Sequence, residues 1–256
     1  MPFPNFPEKI RETPLVRAID SWKYKKELEI YPDINPPKGV IIIFQTKLIN
    51  YIIENYPVRK IDHVFHDFYL LEGHNYSIGI TANFGIGAPI TAILLEGLAA
   101  FGIKNFISVG TAGGLQEDLK LGSLVVCDKA IRDEGTSYHY LKDEKYAYPS
   151  KSLTQAIVKT MEKSGEQYTL GTSWTTDAPY RETIKEIESY KEEGVLTVEM
   201  EASAIFSVAK YLDINAASIF TISDYIQENE WKLYFHLTEK HLHTLFKIAL
   251  ETMKAI

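Results

Sequence analysis

The sequence is poor in several features that would place it in a familiar class. It has a single cysteine, Cys127, in 256 residues, so a disulfide framework is excluded and a reducing compartment is indicated. Acidic residues outnumber basic ones by 34 to 27, and the net charge of -7 lacks the basic field of nucleic-acid binders. Because that charge repels anions, any bound anion must be held by local groups.

Other absences concern metals and membranes. No CxxC or HExxH pattern occurs, so no metal site is predicted. The longest apolar runs fall far short of the roughly 20 residues that span a bilayer. Prolines 2, 4 and 7 also break the apolar helix that a signal peptide needs. We therefore expect a cytoplasmic protein with no membrane partner and no nucleic-acid partner.

The chain divides into an N-terminal extension and one domain. Residues 1–39 are proline-rich and charged, with a short helix possible over 15–27. Apolar strand-like runs then alternate with helical spacing. Strands are predicted at 40–44, 76–80, 106–109, 123–128, 195–198 and 217–222, and helices at 47–56, 89–101, 153–164, 202–212 and 232–254. This alternation predicts a single α/β domain over 40–256, in which helices cover both faces of a mixed, mostly parallel sheet as a three-layer α/β/α structure.

Two glycine-rich turns follow predicted strands, where ligands of such sheets bind. Gly85 and Gly87 precede a helix whose N-terminal N–H groups could approach an anion. Residues 110–114 place Thr111 among three glycines, which is a plausible nest of N–H donors. Each turn is equally explained as a tight turn without a ligand.

Carboxylates follow two other strands. Glu199 and Glu201 flank Met200 at a helix start, where the helix dipole alone favours acidic residues. Alternatively, one carboxylate accepts hydrogen bonds from vicinal hydroxyls while the methionine packs on a ribose ring. Asp224 follows Ser223 at another strand end, where it is either an N-cap or an acid that protonates a leaving group.

The order of these four motifs resembles the nucleoside phosphorylase superfamily, which includes hexameric purine nucleoside phosphorylases, uridine phosphorylases and methylthioadenosine nucleosidases. The resemblance covers about residues 40 to 250. It implies that Glu201 binds the ribose 2′- and 3′-hydroxyls, that Met200 packs on the sugar and that Asp224 protonates a purine at N7. The other substrate-binding residues that it implies are Glu199, Thr111, Ala112, Gly113, Ser223 and Tyr180.

The resemblance favours a purine. Uridine enzymes of the group carry a Gln-x-Arg pair that reads uracil, and residues 175–182 lack it. The Ser-Asp pair at 223–224 is similar to that of the purine branch. Trp174 and Tyr180 are candidates to stack on the base, although large aromatic side chains are more often part of a core.

The phosphate end departs from the family pattern. Phosphorylases carry a Gly-Asp-Pro-x-Arg loop after the first strand, where this chain has residues 44–47, and an arginine where it has Ser108. We expect Lys47 to join Gly85, Gly87 and Thr111 in binding phosphate. A second cation could come from Arg59, Lys60 or Arg132, within the chain or across a subunit boundary, or each could be a surface charge. Nucleosidases lack both arginines but need a glutamate near the first strand, and residues 44–50 contain none.

The leading hypothesis is a purine nucleoside phosphorylase that forms free base and ribose 1-phosphate, uses no cofactor and works as a homo-oligomer, either a dimer or a trimer of dimers. The alternatives are a nucleoside hydrolase that uses water and a non-catalytic nucleoside-binding relative. Residues 132–140 either close over the sugar 5′ end or form a surface or interface loop.

Overall fold

A mixed sheet of eleven strands runs through the computed structural model, which describes residues 4–73, 77–227 and 230–256. The strands are β1 Gly39–Ile43, β2 Val58–Lys60, β3 Asp67–Leu71, β4 Ile78–Ala82, β5 Asn105–Gly114, β6 Leu124–Asp133, β7 Tyr146–Ala147, β8 Thr169–Thr176, β9 Thr197–Glu199, β10 Asn215–Gln227 and β11 Glu230–Leu233. The α-helices of the described residues are α1 Ala18–Glu27, α2 Thr46–Asn55, α3 Ala88–Phe101, α4 Lys151–Ser164, α5 Ile184–Glu192, α6 Ala202–Leu212 and α7 Glu239–Ala255.

The sheet is open at one side and closed at the other. Its strand order is β11-β10-β6-β8-β9-β5-β1-β4-β3-β2, and β7 pairs with β6. Because β10 also pairs with β5, the strands β5, β10, β6, β8 and β9 form a closed ring. The longest pairings, β5 with β10 and β6 with β8, are parallel, while β3, β9 and β11 pair antiparallel with β4, β5 and β10. The predicted mixed α/β fold is confirmed.

Strand β1 contributes side chains to two hydrophobic cores, one on each face of the sheet. Successive strand side chains point to opposite faces. Val40 and Ile42 accordingly pack into one core with α1, α3 and α6, and Ile41 and Ile43 pack into the other with α2, α4 and α7. Since every β1 residue is buried, each large side chain contributes roughly 1.5–3 kcal/mol to stability. The three layers follow from this double burial.

The N-terminal segment packs on the sheet's helical layer. Trp22 of α1 is buried, stacks on Phe101 with ring centroids 4.6 Å apart, and donates a 2.7 Å hydrogen bond to the Gly97 carbonyl oxygen. Residues 1–3 of the predicted extension lie outside the described residues, as does Tyr76 of the strand predicted over 76–80.

Some predicted boundaries are wrong. The last helix, predicted over 232–254, begins only at Glu239, because residues 230–233 pair with β10 as β11 and a 3-10 turn over Phe235–Leu237 follows. Strands β2, β3, β7 and β8 and helix α5 were not predicted. Residues 110–114, predicted as a glycine turn, belong to β5 because they pair with β9 and β10. Strand β8 contains glycine and many polar residues, so its extended form depends on pairing with β6 and β9. None of the described helices combines the length and apolarity needed to cross a membrane.

Candidate functional site

A cavity of 360 Å³ lies where β5, β9 and β10 meet. The parallel pairing of β5 with β10 and the antiparallel pairing of β5 with β9 bring three distant motifs to one place. Eight residues that the sequence predicted for the site line this cavity, namely Thr111, Ala112, Gly113, Tyr180, Glu199, Met200, Ser223 and Asp224. Glu201, Gly85, Gly87 and Lys47 are not among its lining residues.

Gly113 allows the cavity floor to close. A Cβ atom at this position would lie 3.0 Å from Val198 Cγ1 and 3.2 Å from Asp224 Oδ2. Such separations are too short for ordinary packing, so β9 and Asp224 approach the β5 backbone only because no side chain stands between them. This glycine is therefore required by the close approach of the Asp224 carboxylate.

Asp224 is held from both sides. The β5–β10 register shifts between Ile222 and Asp224, a bulge that redirects the side chains around it. Ser223 Oγ donates to Asp224 Oδ1 at 2.6 Å, and Trp231 Nε1 donates to Asp224 Oδ2 at 2.7 Å. The N-cap alternative is wrong, because β10 continues to Gln227.

Glu199 is the last residue of β9 and lies just before helix α6. Its buried carboxylate accepts hydrogen bonds from Thr175 Oγ1 at 2.5 Å, Ser173 Oγ at 3.2 Å, and the backbone N–H groups of Glu201 and Ala202 at 2.7 Å each. Burial raises the pKa of Glu199, and these four donors oppose that effect. Glu199 therefore anchors the start of α6 and positions the two residues that follow it.

Glu201 connects the glycine turn to this helix. The Gly87 N–H donates to Glu201 Oε1 at 2.6 Å. Gly87 has a φ of 99° and Gly85 a φ of 102°, backbone conformations that glycine adopts readily. Burial and the charge of Glu199 raise the pKa of Glu201 to about 8. The N–H group of Gly87, predicted to bind phosphate, thus binds the Glu201 carboxylate in this structure.

Three basic side chains that the sequence offers as phosphate ligands bind other groups in the structure. Lys47 Nζ lies 2.5 Å from Glu239 Oε1 on α7, which draws it away from the cavity. Lys60 Nζ pairs with Asp67 Oδ1 at 2.5 Å. The buried Arg132 guanidinium donates to the backbone oxygens of Leu141, Lys142 and Glu144. The suggestion that Arg132 binds phosphate is therefore wrong, because its donors hold the segment that follows β6.

Gln45 lies at this end and was missed by the sequence reasoning. Its Nε2 donates to Thr111 Oγ1 at 3.2 Å, and its buried Oε1 has no hydrogen-bond partner among the described residues. Ser108, which stands where the family has an arginine, is buried and donates to Ser218 Oγ at 2.6 Å. An uncharged amide therefore faces Thr111 in place of a guanidinium. The sequence could have indicated Gln45 as a site residue, because it closely follows the first predicted strand.

Besides Val198 of the predicted 198–201 run, five further lining residues were missed: Thr176, Pro179, Glu182, Trp231 and Phe235. In residues 175–182, the sequence pattern indicates only that the uracil-reading pair is absent. Trp231 reaches the cavity only because β11 pairs with β10. Burial and the charge of Asp224 raise the pKa of Glu182 to about 7, which marks it as a member of the site.

Other candidates have structural roles. Trp174 is fully buried, and its Nε1 donates to Asp133 Oδ2 at 2.9 Å, so it belongs to the core. Tyr180 is exposed at the cavity rim. In the segment 132–140, buried Glu134 accepts from Ser203 Oγ at 2.9 Å and from two backbone N–H groups of its own loop. This segment is therefore anchored to α6.

Comparison with known proteins identifies the class. The family model of the phosphorylase superfamily matches residues 46–252, and the chain belongs to that superfamily. The predicted resemblance is confirmed.

Individual relatives are similar over part of their length. A guanosine phosphorylase of Halorubrum lacusprofundi is 33% identical over 138 residues, which are 54% of this chain and 57% of the relative. The DeoD-type 1 purine nucleoside phosphorylase of Shewanella oneidensis is 31% identical over 174 residues, 66% of this chain and 72% of the relative. A uridine phosphorylase of Thermococcus kodakarensis is 30% identical over 158 residues, 57% of each chain.

Proposed function

We propose that this chain is a nucleoside phosphorylase that cleaves the N-glycosidic bond of a purine nucleoside with inorganic phosphate, giving free base and ribose 1-phosphate. One observation carries the proposal: a single 360 Å³ cavity is lined both by Met200, beside the proposed ribose-binding acid, and by Asp224, the proposed general acid. Sugar and leaving base could thus be held at adjacent points of one pocket.

The sugar is bound by the start of α6. Glu201 accepts hydrogen bonds from the ribose 2′- and 3′-hydroxyls, and its contact with the Gly87 N–H fixes its direction. Met200 packs on the ring. As the bond from C1′ to N9 lengthens, positive charge develops on the sugar, and the nearby carboxylates stabilise it more than they stabilise the ground state.

Bond cleavage then proceeds as a displacement. A phosphate oxygen attacks C1′ while the C1′–N9 electron pair moves into the base. Asp224 gives its proton to N7, so that the base leaves neutral. Ser223 and Trp231, which contact the two Asp224 oxygens, position this group beside the base. Thr111 and Gln45 lie at the phosphate side.

A purine is supported by two independent features. Residues 175–182 lack the Gln-x-Arg pair of the uridine enzymes. The matching relatives include a guanosine phosphorylase and purine nucleoside phosphorylases, along with one uridine phosphorylase.

The phosphate end favours a second candidate, a nucleoside hydrolase that uses water. The observation is that Lys47, Lys60 and Arg132 are all paired within the chain. Nucleoside cleavage should therefore be measured by chromatography in phosphate-free buffer and again with phosphate. Phosphorolysis requires that base release depend on phosphate and that ribose 1-phosphate form. Equal release in both buffers, with ribose as product, would show hydrolysis. Tight nucleoside binding without any release would indicate a non-catalytic relative.

We further propose that the enzyme needs no resident metal or cofactor, that phosphate is its co-substrate, and that it works in the cytoplasm as a homo-oligomer, a dimer or a trimer of dimers. The single cysteine, which suits a reducing compartment, supports the location. A partner subunit would also offer a source for the cation that the phosphate end requires.

A further inference from the structure

A line of hydrogen bonds connects the segment after β6 to the start of α6. Ser203 Oγ donates to Glu134 Oε1 at 2.9 Å, and the Ser203 backbone N–H donates to Thr175 Oγ1 at 3.0 Å. Thr175 Oγ1 in turn donates to Glu199 Oε1 at 2.5 Å. The second Glu199 oxygen accepts the backbone N–H of Glu201 at 2.7 Å. The line therefore ends on the backbone of the proposed sugar-binding acid.

Every side chain on this line is buried. Glu134 is 5% exposed, Glu199 6%, and Ser203 and Thr175 are fully enclosed. Because these groups are shielded from solvent, the loss of one donor or acceptor leaves its neighbour unsatisfied. A buried polar network whose members are all paired holds its side chains in one arrangement. A change at Glu134 should therefore disturb Glu199.

The Glu134 carboxylate is held in place by its own loop. It accepts hydrogen bonds from the backbone N–H groups of Thr136 at 2.5 Å and Ser137 at 3.0 Å. Ser137 Oγ in turn accepts a hydrogen bond from Arg132 Nε at 2.9 Å. The oxygen that meets Ser203 thus has a fixed direction. An amide at this position would place an NH2 group where the carboxylate has an accepting oxygen.

We propose that Glu134 is a positioning residue, which acts through Ser203, Thr175 and Glu199 to fix the backbone at Glu201. It thereby aims the carboxylate that binds the ribose hydroxyls. The inference rests on the proposed function, in which Glu201 binds those hydroxyls. Glu134 does not line the 360 Å³ cavity, so its effect reaches the ligand only through Glu201. A change at Glu134 should therefore weaken only the part of the affinity that the sugar hydroxyls supply.

The test compares guanosine with 2′,3′-dideoxyguanosine, which lacks both hydroxyls, in the wild type, Glu134→Gln and Ser203→Ala. The quantity measured is the preference for guanosine. It is the ratio of the two dissociation constants from calorimetry or, where the nucleosides are cleaved, the ratio of the two kcat/KM values. We expect both variants to lose roughly 10-fold in affinity or kcat/KM for guanosine. Dideoxyguanosine should be bound or cleaved nearly as well as by the wild type.

Two control variants match these changes. Ser207→Ala removes a buried hydroxyl from the same helix, and the Ser207 Oγ has no hydrogen-bond partner among the described residues. Glu117→Gln removes an exposed charge that does not line the cavity. Both should keep the wild-type preference. Thermal melting checks that each variant is folded, and if Glu134→Gln does not fold, Ser203→Ala carries the comparison.

The outcomes separate this inference from the proposed function. A selective loss for guanosine supports the inference whether phosphate or water is the nucleophile. If the wild type prefers guanosine and both variants keep that preference, the inference alone is overturned. Equal weakening of both nucleosides in a folded variant would show a general structural effect and would also overturn it. If the wild type itself has no preference, the ribose role of Glu201 is wrong and the inference is overturned with it.

Discussion

At the scale of single residues, neighbouring carboxylates of this site acquire different properties from their surroundings. Glu199 has four donors around it, whereas Glu201 has one donor and lies beside the Glu199 charge. The first therefore stabilises the fold, and the second has acceptor capacity left for a ligand. Such separation of neighbouring acids is typical of catalytic sites.

The role of Asp224 is tested with a substrate that needs no acid. Asp224→Asn should lower kcat for guanosine phosphorolysis by roughly 10²- to 10⁴-fold, because the base would leave as an anion. The base of 7-methylguanosine is already cationic, so its loss of rate should be much smaller. Initial rates on both nucleosides provide the measurement, with the exposed Asp143→Asn as control. Equal losses on both substrates would exclude Asp224 as the proton donor.

The pKa of Glu201 predicts a pH-dependent stability. Its folded value of about 8 lies above the usual 4.5, so the folded state retains a proton that the unfolded state has already lost between these limits. Its stabilising contribution is complete below pH 4.5 and declines as the pH rises toward 8, by at most about 1.4 kcal/mol per pH unit. The melting temperature of the wild type should thus fall between pH 6 and 8 more steeply than that of Glu201→Gln. Parallel curves would mean that Glu201 is already ionised.

At the scale of elements, the site is built from strand ends that are held in place by contacts with neighbouring elements. Asp224 lies near the C-terminal end of β10. Strand β11 pairs antiparallel with this end of β10, and Trp231 lies opposite Ile226. The hairpin thereby supplies the donor to Asp224 Oδ2. Helix α6 and the glycine turn are linked in the same way, through Glu201 and Gly87.

The hairpin should report base binding through its tryptophan. Trp231 is 53% exposed, whereas Trp22 and Trp174 are 2% and 1% exposed, so ligand at the cavity alters the environment of Trp231 alone. Addition of free purine base should change the intrinsic fluorescence of the wild type. Trp231→Phe should remove most of that response. The buried Trp22 and Trp174 remain in this variant and provide an internal reference signal. A full response in Trp231→Phe would mean that the base binds elsewhere.

At the scale of the whole molecule, apolar side chains are exposed near the glycine turn. Ile86 is 66% and Ile93 59% exposed, one on the turn that contacts Glu201 and the other on α3. We infer that these two side chains lie in a subunit contact, since exposed apolar surface is often covered by a partner. A partner there would lie close to the phosphate end of the pocket.

This face is tested by Ile93→Asp. A charge buried in the proposed interface should shift the protein to a smaller mass in sedimentation velocity. The value of kcat/KM should fall with it, because we propose that a partner subunit supplies part of the pocket. Leu170→Asp, which alters an exposed leucine of β8, serves as the matched control. An unchanged mass for Ile93→Asp would place the interface on another face.

The local patterns predicted much of this molecule. The alternation of apolar runs with helical spacing predicted the α/β sheet, and the motifs at 110–114, 199–201 and 223–224 predicted seven residues of one cavity. The sheet follows from the sequence because buried strands need continuous apolar residues. The glycines at 110–114, predicted as a turn, lie instead within β5, which continues to Gly114. The phosphate end was predicted less well, since Lys47 binds Glu239, which is far away in the chain.

What the sequence by itself determined is the class of fold, the family, three of the motifs that meet at the cavity, and the absence of the expected arginines. Only the tertiary structure decided that Gly87 serves Glu201, that Arg132 is bound to backbone oxygens, and that Trp231 and Glu182 join Asp224 at the cavity. The physical reason is that these contacts join different elements and loops, and Gly87 and Glu201 lie 114 positions apart in the chain. Their partners are selected by strand pairing and packing, which local residue patterns do not encode.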